Sequence, residues 1–121
     1  MVIPSITNAL VAAFLAVTFV FGYWLVRLGR PYSGVLLTVH KLASLAALVV
    51  LGMILIRARR DGMLDPRTVA AGALAGLSFI LAIISGGLMT ALSPAPAAAL
   101  AAHRVAPLVA LILTALVLYR M

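Results

Sequence analysis

The sequence predicts an all-α integral membrane protein, a four-helix up-down-up-down bundle forming one domain over residues 1–121, and three observations lead there. Of the 121 residues, 66% are hydrophobic and 9% charged, where soluble domains carry about 25% charged residues. The apolar residues fall into four stretches, about 6–26, 34–56, 66–92 and 97–119. Each can cross a hydrocarbon layer of about 30 Å at about 1.5 Å per residue. The links between them are short, the first two marked by glycine, proline and arginine and the third, SPAPA, uncharged, and such short links make consecutive helices antiparallel neighbours.

The first stretch carries no charge from Ile6 to Val26. Pro4 and Ser5 open it. No basic segment precedes it and its apolar run exceeds a signal-peptide core, so it reads as a retained helix. Tyr23 and Trp24 near its far end, and Tyr32 beyond, suit the headgroup level. Arg27 and Arg30 follow in a turn marked by Gly29, Pro31 and Gly34. The second stretch is interrupted only by His40 and Lys41 and ends on Arg57, Arg59 and Arg60, with a turn at Asp61-Gly62. Asp65 is placed as the N-cap of the third helix, with Pro66 at its first position. That helix carries a Gly72-xxx-Gly76 pair, a spacing that lets membrane helices approach closely, and a second glycine pair, Gly86-Gly87. Met89 near its end could serve as an axial ligand in a His/Met site, but methionine at such a place more often fills space. Pro94 and Pro96 stop this helix and start the fourth, which closes on Tyr119 and Arg120.

Charge and composition exclude several functions. The net charge of +7 sits mostly in bases that flank apolar runs, where they act as topology signals rather than nucleic-acid contacts. Arg57, Arg59, Arg60, Arg67 and Arg120 fall on the side bearing both termini, against Arg27 and Arg30 on the other, with Lys41 and Arg104 added there if they snorkel. This bias places both termini in the cytoplasm, in a bacterial inner membrane. The absence of cysteine rules out disulfides, thiolate metal sites and covalent haem attachment. No span carries the acid a proton-coupled pump needs, and no nucleotide or metalloprotease motif is present. Whether the chain turns over a substrate stays open.

The informative feature is a repeat. Thr38–Leu48 reads TVHKLASLAAL and Ala101–Leu111 reads AAHRVAPLVAL, which aligns His40 with His103 and Lys41 with Arg104 in a chain with only two histidines. Both histidines lie about six residues into their spans, about 9 Å from the same membrane face. Helices one and three show no comparable match, so two-fold symmetry is an expectation from the histidine segments alone. Two imidazoles at one depth on two helices of a bundle suit axial ligation of a planar tetrapyrrole from both faces. Ser44 and Ala47 beyond His40, and Ala106 and Ala110 beyond His103, are small enough to leave a slot beside each ring. Gly86 could admit a flat ring, or close helix packing. Pro107 leaves the carbonyl of His103 without its helical donor, and Ser44 could bond back to the carbonyl of His40. Lys41 and Arg104 are costly at this depth unless paired or snorkelled, and haem propionates would supply the missing anions.

This pattern resembles the b-type membrane cytochromes with transmembrane four-helix bundles, such as the cytochrome b561-like family. The resemblance covers the architecture and the two His-base motifs. It implies one non-covalent, bis-histidine haem b with His40 and His103 as iron ligands and Lys41 and Arg104 as propionate contacts, exchanging electrons with a quinone or a redox protein. Diheme members of that family need four histidines and this chain has two, so one haem near one face would not by itself carry electrons across the bilayer. The alternative is a non-catalytic membrane subunit, a homodimer or part of a larger complex. In that case each histidine either packs helices or ligates the magnesium of a chlorophyll.

Overall fold

In the computed structural model, which describes residues 6–121, the chain is all-α, with helices α1 (Ile6–Leu28), α2 (Gly34–Arg60), α3 (Pro66–Ala91) and α4 (Ala97–Arg120). The expectation that Pro4 and Ser5 open α1 lies outside the described residues. All four helices are long and apolar enough to cross a membrane, so the chain is an integral membrane protein with lipid-facing helices. The spans expected from hydropathy fall short at two ends. α1 runs on to Leu28 and α2 to Arg60, because arginines past the hydrocarbon edge keep their charges in water while the backbone stays helical.

Local signals set the helix ends. Gly29 takes φ +71° after α1 and its N–H donates to Leu25 O at 3.0 Å. At the end of α2, Gly62 takes φ +69°. Its N–H donates to Arg59 O while the Met63 N–H donates to Ala58 O, a Schellman closure that needs a left-handed residue. Asp65 caps α3, as its sequence position predicts, by accepting from the Thr68 N–H at 2.7 Å.

The exterior, unlike that of a soluble protein, is as apolar as the interior. Large apolar side chains such as Val26, Val35, Leu77 and Ile112 are exposed, and much of the buried set is alanine, including Ala43, Ala47, Ala75, Ala82, Ala106 and Ala110. Only 17% to 33% of each span's most apolar window is buried within the chain. The remainder is exposed apolar surface of the kind that meets lipid, and small residues let helix backbones approach where packing, rather than water exclusion, drives association.

The chain divides into two compact units, one ending at Ile54 and the other running from Leu55 to Met121. Each contains a helical hairpin closed by a short link. In the first, α2 returns along α1. In the second, α4 returns along α3, with Arg120 at the end of α4 bonded to Asp65 and Thr68 at the start of α3. The second unit also holds the last turns of α2, where the Leu55 side chain fills the space in front of Gly72. Gly76, the other member of the small-residue pair, faces no heavy atom within 4 Å.

The two-helix repeat extends beyond the histidines. Ala43, Ala47, Leu51 and Ile54 on α2 are buried, and so are Ala106, Ala110, Thr114 and Val117, which lie sixty-three positions later on α4. On α1, Val11 and Leu15 are buried, as are Ala75 and Phe79 sixty-four positions later on α3. α1 and α3, which show no comparable match in sequence, nevertheless share a burial pattern. They match in buried positions but are displaced by one residue relative to α2 and α4, so a single shift does not register both pairs.

Candidate functional site

Both histidines are half-buried, and each is the seventh residue of its helix, His40 in α2 and His103 in α4. In the first hairpin, His40 Nδ1 lies 2.7 Å from the carbonyl oxygen of Thr18 on α1. In the second, His103 Nδ1 lies 2.9 Å from the carbonyl oxygen of Ala82 on α3. A carbonyl oxygen only accepts, so each ring carries its proton on Nδ1 and donates it. The neutral imidazole then presents its lone pair at Nε2, the tautomer that ligates metals when Nδ1–H is held by a backbone carbonyl.

What allows this contact is a glycine one helical turn beyond each carbonyl. A Cβ built on Gly22 would stand 2.8 Å from His40 Cε1, and one on Gly86 would stand 2.8 Å from His103 Cε1. Both are closer than carbon atoms approach in packed interiors. The imidazole therefore occupies the volume a side chain would take. Gly22 and Gly86 are sixty-four positions apart and serve the same purpose in the two hairpins. Gly86 was anticipated as a place for a flat ring, and the ring it admits is that of His103. Gly22 was not anticipated. A glycine four residues after a carbonyl that faces a histidine is a spacing visible in the sequence only once the hairpin register is known.

The other anticipated residues fall around these two clamps. Ala47, Ala106 and Ala110 are buried, and helical spacing puts them on the same stripe as their histidine, the stripe turned toward the paired helix. Ser44 is half-buried at the flank of that stripe, and Lys41 and Arg104 are exposed, each about 100° around its helix from the preceding histidine. Ser85, also unanticipated, is buried with its Oγ 3.2 Å from His103 Nδ1, and the hydroxyl donates to Ala82 O at 3.1 Å. Phe21, which carries no hydroxyl, stands at the corresponding place in the first hairpin. Met89 is half-buried on α3. Among the described residues, no group of three or more His, Cys, Asp or Glu side chains is placed to hold a metal ion.

One polar assembly lies at the opposite end of the second hairpin. Arg120 donates from Nη2 to Asp65 Oδ2 at 3.0 Å and from Nε to Thr68 Oγ1 at 3.2 Å. The Thr68 backbone N–H, the Arg120 guanidinium and the Thr68 hydroxyl together hold the Asp65 carboxyl down at about 2. This assembly fastens the end of α4 to the start of α3. Comparison with protein-family models, with curated proteins and with solved structures finds no match to this chain.

Proposed function

We propose that this protein is a membrane b-type cytochrome that holds one non-covalent haem b, with His40 and His103 as its axial ligands and a quinone or redox protein as its electron partner. The supporting observation is the repeated clamp: two imidazoles, each with Nδ1–H donated to a backbone carbonyl and each seated against a glycine. That donor set suits ferric and ferrous iron alike, because a fixed Nδ1–H keeps the Nε2 lone pair in place and raises its basicity. When bound, haem supplies the one-electron couple. The chain's own part is to present Nε2, to exclude water with apolar helices, and to offer Lys41 and Arg104 as cations for propionates. We further propose a bacterial inner membrane, with the arginine-rich end of the second unit in the cytoplasm.

A second reading rests on the same bonds. A histidine bonded to the carbonyl of a neighbouring helix also glues a hairpin together, which would suit a non-catalytic subunit of a larger complex, or one carrying a chlorophyll on each histidine. Absorption spectra of detergent-purified protein, oxidised and dithionite-reduced and before and after hemin addition, separate these readings. Haem ligation gives a sharp reduced b-type α-band at one haem per chain, lost in either His40→Ala or His103→Ala. Pigment binding gives separable partial losses. A preparation that stays colourless with hemin overturns the cytochrome reading.

A further inference from the structure

The last turns of α2 and the first turn of α3 carry four arginines, Arg57, Arg59, Arg60 and Arg67, all exposed. The backbone does not need them there. The end of α2 is closed by the Gly62 and Met63 amides, and the start of α3 is capped by Asp65. Of the two acids in the chain, Asp65 is engaged by Arg120, which leaves Asp61 alone against four cations.

The faces of α2 are fixed at this level by Ala58, which is buried, and by Leu55, which packs on Gly72. At about 100° per residue, Arg57 and Arg60 lie about 60° apart on the side turned away from both. They are one turn apart, at the spacing where like charges repel. Exposed Met53 and Ile56 lie just before them and exposed Met63 just after, so this basic pair stands at the junction of apolar helix and water, at headgroup depth. An apolar flank beside paired guanidinium groups matches a phosphodiester with acyl chains, and guanidinium binds phosphate oxygens in a bidentate fork.

We infer that Arg57 and Arg60, supported by Arg59 and Arg67, form a headgroup site for an anionic phospholipid. The site is independent of the histidines and of any cofactor. It accounts for a charge cluster that helix capping does not use, and it fixes which end of the second unit faces an anionic leaflet.

Native mass spectrometry of the full chain released from detergent, titrated with phosphatidylglycerol and with phosphatidylcholine, tests this. The wild type should retain phosphatidylglycerol with at least a tenfold preference. Arg57→Gln/Arg60→Gln should lose about 30-fold of that retention, five- to sixfold per base, and Arg57→Lys/Arg60→Lys should recover part of it. Circular dichroism should show unchanged helicity, since both side chains are exposed. Three results would overturn the assignment: equal retention of the two lipids, an equal loss in the Arg27→Gln/Arg30→Gln variant of the first unit, or displacement of phosphatidylglycerol by millimolar inorganic phosphate. The last would make this a free-phosphate site.

Discussion

Replacing Gly86 with alanine tests the clamp most directly, because the structure supplies its own control one residue away. At Gly86 the added Cβ would stand 2.8 Å from His103 Cε1, where carbon atoms pack at about 3.5–4.0 Å. The ring must retreat by roughly 0.7 Å or more. His103 Nδ1 and Ala82 O, now 2.9 Å apart, would then pass the range of a good hydrogen bond. Overpacking of this kind costs about 1–3 kcal/mol, and loss of the bond adds about 0.5–1.5 kcal/mol. At Gly87 an added Cβ meets nothing within 4 Å, so Gly87→Ala should be neutral or stabilising by about 0.5–1 kcal/mol through helix propensity. Reversible unfolding in mixed micelles, followed by circular dichroism, measures both. Combining Gly86→Ala with His103→Ala should remove most of the penalty, leaving a coupling energy of about 1–3 kcal/mol. If Gly86→Ala and Gly87→Ala agree within about 0.5 kcal/mol, or if the double variant shows no coupling, the packing argument is wrong.

The first hairpin should behave alike: Gly22→Ala should destabilise and Gly52→Ala, whose Cβ would meet nothing within 4 Å, should not. ¹⁵N NMR of the protein without added haem should show both imidazoles protonated on Nδ1, and a signal from the opposite tautomer at neutral pH would contradict the carbonyl contacts. Thr114 Oγ1 is buried and has no hydrogen-bond partner among the described residues, so Thr114→Val, similar in shape, should raise stability by about 1 kcal/mol in the same unfolding assay. The Asp65 carboxyl is held at about 2 against an ordinary 3.8, so its contribution is present above 3.8 and is lost as pH falls through about 2. Thermal midpoints should therefore drop across that window in the wild type and stay flatter in Asp65→Asn. Equal pH profiles would show that the α3–α4 clasp does not contribute to stability.

The sequence by itself determined the elements. Four runs longer than a bilayer needs, with bases at their ends, leave the backbone no satisfied state in lipid other than helix. The Asp65-Pro66 start and the Gly29 and Gly62 stops are likewise local, because capping involves only atoms a few residues apart. His40 and His103 were also conspicuous, since an ionisable side chain in an apolar run stands out against its neighbours. What each ring touches was not. The partner atoms are backbone carbonyls, which every residue carries, so no side chain marks Thr18 or Ala82 in the sequence. Gly22 was hidden for a related reason: α1 and α3 are offset by one residue from the register of α2 and α4, so the shift that aligns the two histidines passes over the match of Gly22 to Gly86. Ala47, Ala106 and Ala110, read from sequence as small neighbours that leave a slot, are buried on the stripe of their histidine, a position that serves close helix packing as well. Small side chains serve either purpose, and their burial against a paired helix becomes visible only once the hairpin is packed.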